Sequence, residues 1–181
     1  MRSLDALRVA VDELGDALAV SCNGFVSREL YLLRDRPENL YLLGSMGLAA
    51  PVAMGIALSR PGRRVVVFDG DGNALMGLGG MANIGAAAPR NLLHVILDNG
   101  VYASTGAQGT VSPRVPLEEV ARACGYARAC RVRDAESLRR AWREEGGPAC
   151  IVAEVEPSDG AGLPRVEIPP PDLARRFREA M

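Results

Sequence analysis

Apolar positions along the chain fall into two rhythms that take turns. Between Ser3 and Leu14 they recur three and four residues apart, the period of an amphipathic helix. The run "ALAVSC" is apolar without alternation and stops at Asn23-Gly24, as a short buried strand would. "SRELYLLRD" returns to the helical period and "NLYLLG" to the strand-like one. The exchange continues through a small-residue helix, "GLAAPVAMGIALS", the strand "RVVVFD", one helix from Ala74 to Ala87, and the strand "NLLHVILD". A loop, "NGVYASTGAQGTVSPRV", then leads to helices over 117–124 and "ESLRRAWREE", a last strand "ACIVAEV", and a closing helix in "IPPPDLARRFREAM".

Strands that alternate with helices, and that are apolar without alternating, predict a parallel sheet buried on both faces. The expected fold is α/β: a single doubly wound domain over residues 1–181, its mostly parallel sheet covered by helices on both sides. In such folds ligands sit outside the carboxyl ends of the strands. Four turns, "SCNG", "LLGSMG", "FDGDG" and "LDNG", follow strand ends and would share one rim.

Composition narrows the chemistry. A net charge of -1 offers no electrostatic case for nucleic acid or an anionic membrane surface. No apolar run approaches the ~20 residues of a membrane span, and the polar opening "MRSLDALRVAVDELG" is no signal peptide. The four cysteines lack C-x-x-C spacing and read as reduced thiols, which suits a cytoplasmic location. All 21 basic residues are arginine, so a pyridoxal Schiff base and a P-loop lysine are excluded. The single histidine, His94, leaves little room for a Ser-His-Asp triad and reads as a half-buried structural residue. A borrowed cofactor would have to carry much of any chemistry.

The acidic turn Asp69-Gly70-Asp71-Gly72 admits several readings. It suits a simple polar turn with a helix cap. A dinucleotide fingerprint fails because Leu75 stands where its third glycine belongs, and a calcium loop fails at Gly80. A haloacid dehalogenase-type phosphatase, with Asp69 as nucleophile, stays open although Asn73 replaces its usual threonine. A further reading joins two segments: Asp71 ends one strand and Asn99, 28 residues on, ends the next. That spacing fits a βαβ crossover and would set a carboxylate beside an amide oxygen, both hard ligands for Mg²⁺. Glycines would let backbone N–H groups approach a diphosphate.

The stretch from "GSMG" through "FDGDGNALMGLGGMANIG" to "LDNGVYASTGAQ" resembles the signature of thiamine diphosphate (ThDP)-dependent decarboxylases. The likeness is tightest to the sulfopyruvate and phosphonopyruvate decarboxylase family, and it extends from "SCNGFVSRELY" to the tail. The resemblance implies a ThDP-binding fold in which Asp71, Asn99 and the Val101 carbonyl hold Mg²⁺. It implies cofactor contacts from Asn23, Gly24, Gly44, Ser45, Gly70, Gly72, Asn73, Ala74 and Tyr102. Met46 would wedge beneath the bent cofactor. Tyr102, Ser104, Thr105 and Gln108 are candidates for orienting substrate or moving protons. Two positions depart from the family pattern: Asp98 replaces an amide and would add charge near the metal, and Asn73 replaces a common serine.

The resemblance also implies a partner. In the family a glutamate from a pyrimidine-binding domain activates the cofactor, and 181 residues leave no length for that domain. The expected partner is an alpha subunit carrying it, in a hetero-oligomer acting on a small anionic 2-oxo acid. Sulfopyruvate would give sulfoacetaldehyde and carbon dioxide; phosphonopyruvate decarboxylation and a non-catalytic ThDP-holding subunit are the alternatives. Arg28 and Arg114 are the candidate donors for the extra anionic group.

Overall fold

The computed structural model describes residues 1–181. Helix α1 (Ser3–Glu13) leads to β1 (Leu18–Ser21), α2 (Phe25–Leu33) and β2 (Asn39–Tyr41). Next come α3 (Ala49–Ser59), β3 (Val65–Gly70), α4 (Asp71–Met76), α5 (Leu78–Ala87) and β4 (Leu92–Asp98). A small hairpin, β5 (Val101–Tyr102) and β6 (Gln108–Gly109), precedes α6 (Leu117–Cys124), β7 (Arg128–Val132), α7 (Ala135–Arg143), β8 (Ala149–Glu154) and α8 (Pro170–Ala180).

Six strands form one sheet in the order β2-β1-β3-β4-β8-β7, and every pairing in it is parallel. The unbroken apolar runs have the cause expected of them, because each strand feeds two cores. Val66 and Phe68 face one side with Leu7, Leu30 and Trp142, where the Phe68 and Trp142 rings stack with centroids 6.2 Å apart. Val65 and Val67 face the other side with Ala53, Met81, Ile84 and Leu117. Fully burying such aliphatic side chains contributes ~1.5–3 kcal/mol each, so neither face tolerates polar alternation.

Three expectations are corrected. β7, "RACRV", was not among the expected strands: it is an edge strand whose arginines break the apolar run, and its pairing with β8 makes it a strand. The single helix over 74–87 is two helices, α4 and α5, parted at Gly77. The break brings backbones together, for a Cβ on Gly77 would lie 2.2 Å from the Gly47 carbonyl oxygen. The loop after Asn99 carries the antiparallel β5–β6 hairpin.

Chain order reverses between β1 and β3: β2 is added on one side and β4 on the other. A crevice opens at such a switch point, outside the carboxyl ends of the strands. That crevice lies between "SCNG" and "FDGDG".

Candidate functional site

The register of β3 on β4 sets the first contact of the site. Gly70 pairs with Leu97, so Asp71 and Asn99 leave neighbouring strands within a residue of each other. Both line a pocket at the switch-point crevice, together with Asn23, Gly24, Met46 and Tyr102. Gly70, Gly72, Asn73, Val101 and Ser104 complete its wall among the expected residues.

Asp71 opens α4 and is 2% exposed. Its Oδ2 accepts from Thr110 Oγ1 at 2.5 Å. Burial pushes the Asp71 carboxyl above its ordinary value and the Asp98 charge adds to this, while bonds from Thr110, Ser112 and the Asn99 N–H oppose it. Asn99 Oδ1 accepts from the Val101 N–H at 2.9 Å, which folds the start of the hairpin back over the amide.

Asp98 adds its charge beside Asp71, as the sequence suggested, but that charge is paired. Its Oδ1 accepts from Ser112 Oγ at 2.7 Å and its Oδ2 from Arg131 Nη1 at 2.8 Å. Arg131 also donates from Nε and Nη2 to Glu118, at 3.0 and 2.9 Å. Thr110 Oγ1 also accepts from the Ser112 N–H at 3.3 Å and lies 3.0 Å from Ser112 Oγ, so the residues from Asp71 to Glu118 form one connected set. Sequence reasoning missed Thr110, Ser112 and Arg131. No spacing marked the first two, and the third lies on the unrecognised strand.

Asn73 lines the pocket and also braces a neighbouring turn. Its Oδ1 accepts from the Gly47 N–H at 2.9 Å, tying the "GSMG" turn to α4 and leaving the side chain engaged. Ser45 in that turn has φ 55, a left-handed conformation that holds Met46 in the pocket wall. Gly44 and Ser45 are exposed beside it and Ala74 is buried in the α3–α5 core; none of the three lines the pocket. Thr105 and Gln108 stand exposed at the hairpin tip, where Thr105 Oγ1 donates to Gln108 Oε1 at 3.2 Å. Neither lines the pocket.

His94 is fully buried rather than half-buried. Its Nδ1 lies 3.1 Å from the Tyr126 hydroxyl and its Nε2 lies 3.4 Å from Asp69 Oδ2. Asp69, 1% exposed, also accepts from the Gly70 N–H at 3.1 Å. A carboxylate so enclosed has no path for attack on a phosphoryl group, which removes the phosphatase reading.

The pocket suits a diphosphate with a hard cation. A Cβ on Gly72 would sit 2.4 Å from the Tyr102 ring, so only glycine lets that ring pack on the start of α4, while a Cβ on Gly70 would meet nothing within 4 Å and its backbone is open to a ligand. Asn23 Oδ1 is buried without a hydrogen-bond partner at the same wall. One carboxylate beside one amide oxygen is a donor set that a divalent ion shares with phosphate oxygens.

The fold and crevice define an open, parallel-sheet α/β protein of the kind that holds its ligand at the switch point. The family model described as "Thiamine pyrophosphate enzyme, C-terminal TPP binding domain" matches residues 19–153, and the chain belongs to that family. The chain is 48% identical over 167 residues to a phosphonopyruvate decarboxylase of Streptomyces viridochromogenes, covering 90% of this chain and 42% of that protein. It therefore spans less than half the length of that relative. It is 38% identical over 177 residues to the sulfopyruvate decarboxylase subunit beta of Methanothermobacter thermautotrophicus, covering 98% of this chain and 94% of that subunit. The benzoylformate decarboxylase of Polynucleobacter necessarius shares the fold, with a TM-score of 0.73 at 17% identity over 87% of this chain and 34% of that one. No helix is long and apolar enough to cross a membrane.

Proposed function

We propose that the chain is the ThDP- and Mg²⁺-holding part of a 2-oxo acid decarboxylase that converts sulfopyruvate to sulfoacetaldehyde and carbon dioxide. The observation that carries the reading is the joint lining of one switch-point pocket by Asp71, Asn99 and Met46. The match over nearly the full length of a sulfopyruvate decarboxylase beta subunit supports this substrate. Phosphonopyruvate is the second reading, favoured by the 48% identity to a phosphonopyruvate decarboxylase.

In this proposal Asp71 and Asn99 hold Mg²⁺ through a carboxylate and an amide oxygen, with the Val101 carbonyl as third protein ligand. Gly70 and Gly72 would offer backbone to the diphosphate, and Met46 would support the cofactor rings. When bound, ThDP supplies an electron sink for the carbanion left as carbon dioxide departs. Thr110 and the Asn99 N–H orient the Asp71 carboxylate toward the metal. Tyr102 and Ser104, at the pocket wall, exclude water and fix the acid against the cofactor. The incoming proton that replaces the carboxylate comes ultimately from solvent. An alpha subunit brings the pyrimidine-binding domain and its activating glutamate.

The test is co-expression with that partner, then assay of sulfopyruvate, phosphonopyruvate and pyruvate with ThDP and Mg²⁺. Aldehyde release from the sulfonate or phosphonate acid is expected, and no aldehyde from any acid would sink the reading. Asp71→Ala is expected to abolish ThDP retention measured by calorimetry. Unchanged ThDP binding in that variant would refute the metal assignment.

A further inference from the structure

A second cavity, of about 430 Å³, opens beside the cofactor pocket. Gly24, Phe25 and Ser104 belong to the walls of both. Its remaining wall holds two arginines, Arg28 and Arg165, and no carboxylate. Ser27, Leu42, Leu43 and Val166 complete a wall that is part polar and part apolar and opens to solvent.

The two guanidinium groups are in different states. Arg28 is already fixed: its Nε donates to the Pro164 carbonyl at 2.9 Å, its Nη2 donates to the Leu163 carbonyl, and it stands 5.5 Å over the Phe25 ring. Its Nη1 makes no hydrogen bond. Those bonds strap residues 163–166 over the start of α2. A second fastening lies at Gly160, where a Cβ would come within 2.4 Å of the Phe25 ring. Arg165, the next residue along the strap, is exposed and has neither an ion-pair nor a hydrogen-bond partner. A free guanidinium is thereby carried to the cavity on a segment whose backbone is held in place.

Arg114, the other arginine considered from sequence, lies elsewhere. It lines a cleft with Arg131 and Arg133 in which Asp98 and Glu154 already pair with those two. That cleft meets the cofactor pocket only at Asn99.

We infer that Arg28 and Arg165 form the subsite for a tetrahedral oxyanion on the substrate's methylene carbon, a sulfonate or a phosphonate, and that Arg165 sets the preference for such acids over pyruvate. The free Arg165 guanidinium offers paired donors that match a tetrahedral oxyanion, and Arg28, held before binding, adds its Nη1 at little entropic cost. The identity of the substrate rests on the decarboxylase reading; the oxyanion subsite rests on the cavity.

Phosphonoacetate carries a carboxylate and a phosphonate but no ketone, so it reports binding without reaction. It is titrated calorimetrically into the enzyme assembled with its partner, ThDP and Mg²⁺. Arg165→Gln is expected to weaken its binding about tenfold, as loss of a charge-assisted contact does. Arg114→Gln is expected to leave binding unchanged. Arg28→Met also loosens the strap, so Arg165→Gln, which breaks no bond in the structure, is the deciding variant. In turnover, Arg165→Gln is expected to raise KM for the sulfonate and phosphonate acids, with kcat and the pyruvate KM unchanged. No phosphonoacetate binding by the unaltered enzyme, full binding by Arg165→Gln, or an equal rise in the pyruvate KM overturns the inference. Binding through Arg165 without aldehyde from any acid would leave the subsite standing and sink the decarboxylase reading instead.

Discussion

Replacing Arg131 by methionine tests the connected set behind the site. Arg131 makes three charge-assisted bonds, one to Asp98 and two to Glu118, at 2.8–3.0 Å. The Asp98 side chain is 7% exposed and that of Glu118 14%, so neither regains full hydration when the guanidinium goes. Hydrogen bonds to charged groups contribute ~1.5–3 kcal/mol each, but they share one donor group and do not add. Breaking a buried pair costs ~3–5 kcal/mol, and the residual exposure here places the loss at about 3 kcal/mol. Urea unfolding followed by circular dichroism reads it as a lowered midpoint at constant slope. Asp98→Asn in the Arg131→Met background should recover part of the loss, because it removes the stranded charge. Arg133→Met is the control: its pair with Glu154 is exposed, and the midpoint should not move. A midpoint unchanged in Arg131→Met, or strictly additive losses in the double variant, would refute the reasoning.

The same pair predicts an acid limb. Burial works to raise the Glu118 carboxyl, and the Arg131 bonds and charge outweigh it, leaving it below its ordinary 4.5. Its contribution to stability is complete above the unfolded value and is lost as pH falls through the lowered one. Arg131→Met should flatten that limb of the stability profile.

Two further outcomes follow from burial and close packing. Gly85→Ala would set a Cβ 1.7 Å from the Cys124 carbonyl oxygen, where α5 meets the end of α6. A destabilisation of roughly 3 kcal/mol is expected, at the upper end of overpacking costs, and a thermal midpoint equal to the parent's would contradict it. Glu29, 3% exposed, accepts from Ser3 Oγ at 2.5 Å, and burial raises its carboxyl above 4.5 against that bond. A raised folded value means that stability is lost as pH rises from the unfolded value through the folded one. Glu29→Gln should therefore stabilise the protein at pH 7 and make little difference near pH 3; greater stability of the parent at pH 7 would be the adverse result.

Much of the fold and the centre of the candidate site were legible in the chain. Runs such as "VVVFD" and "LLHVIL" announce strands buried on both faces, and such strands force a parallel, doubly covered sheet. The spacing of Asp71 and Asn99 follows from strand and helix lengths, which sequence periodicity records directly. What periodicity cannot record is contact between segments far apart in the chain. Arg131 stands 33 residues from Asp98 and 13 from Glu118, on a strand that only its partner β8 defines. Thr110 meets Asp71 from 39 residues away, and Arg28 meets Pro164 from 136. The break at Gly77 depends on the approach of Gly47, not on any local preference. Local pattern determined the elements and the acidic turn. Packing of remote segments decided which charges are neutralised, which arginine is free, and which candidates reach the pocket, because those energies depend on separation in space rather than along the chain.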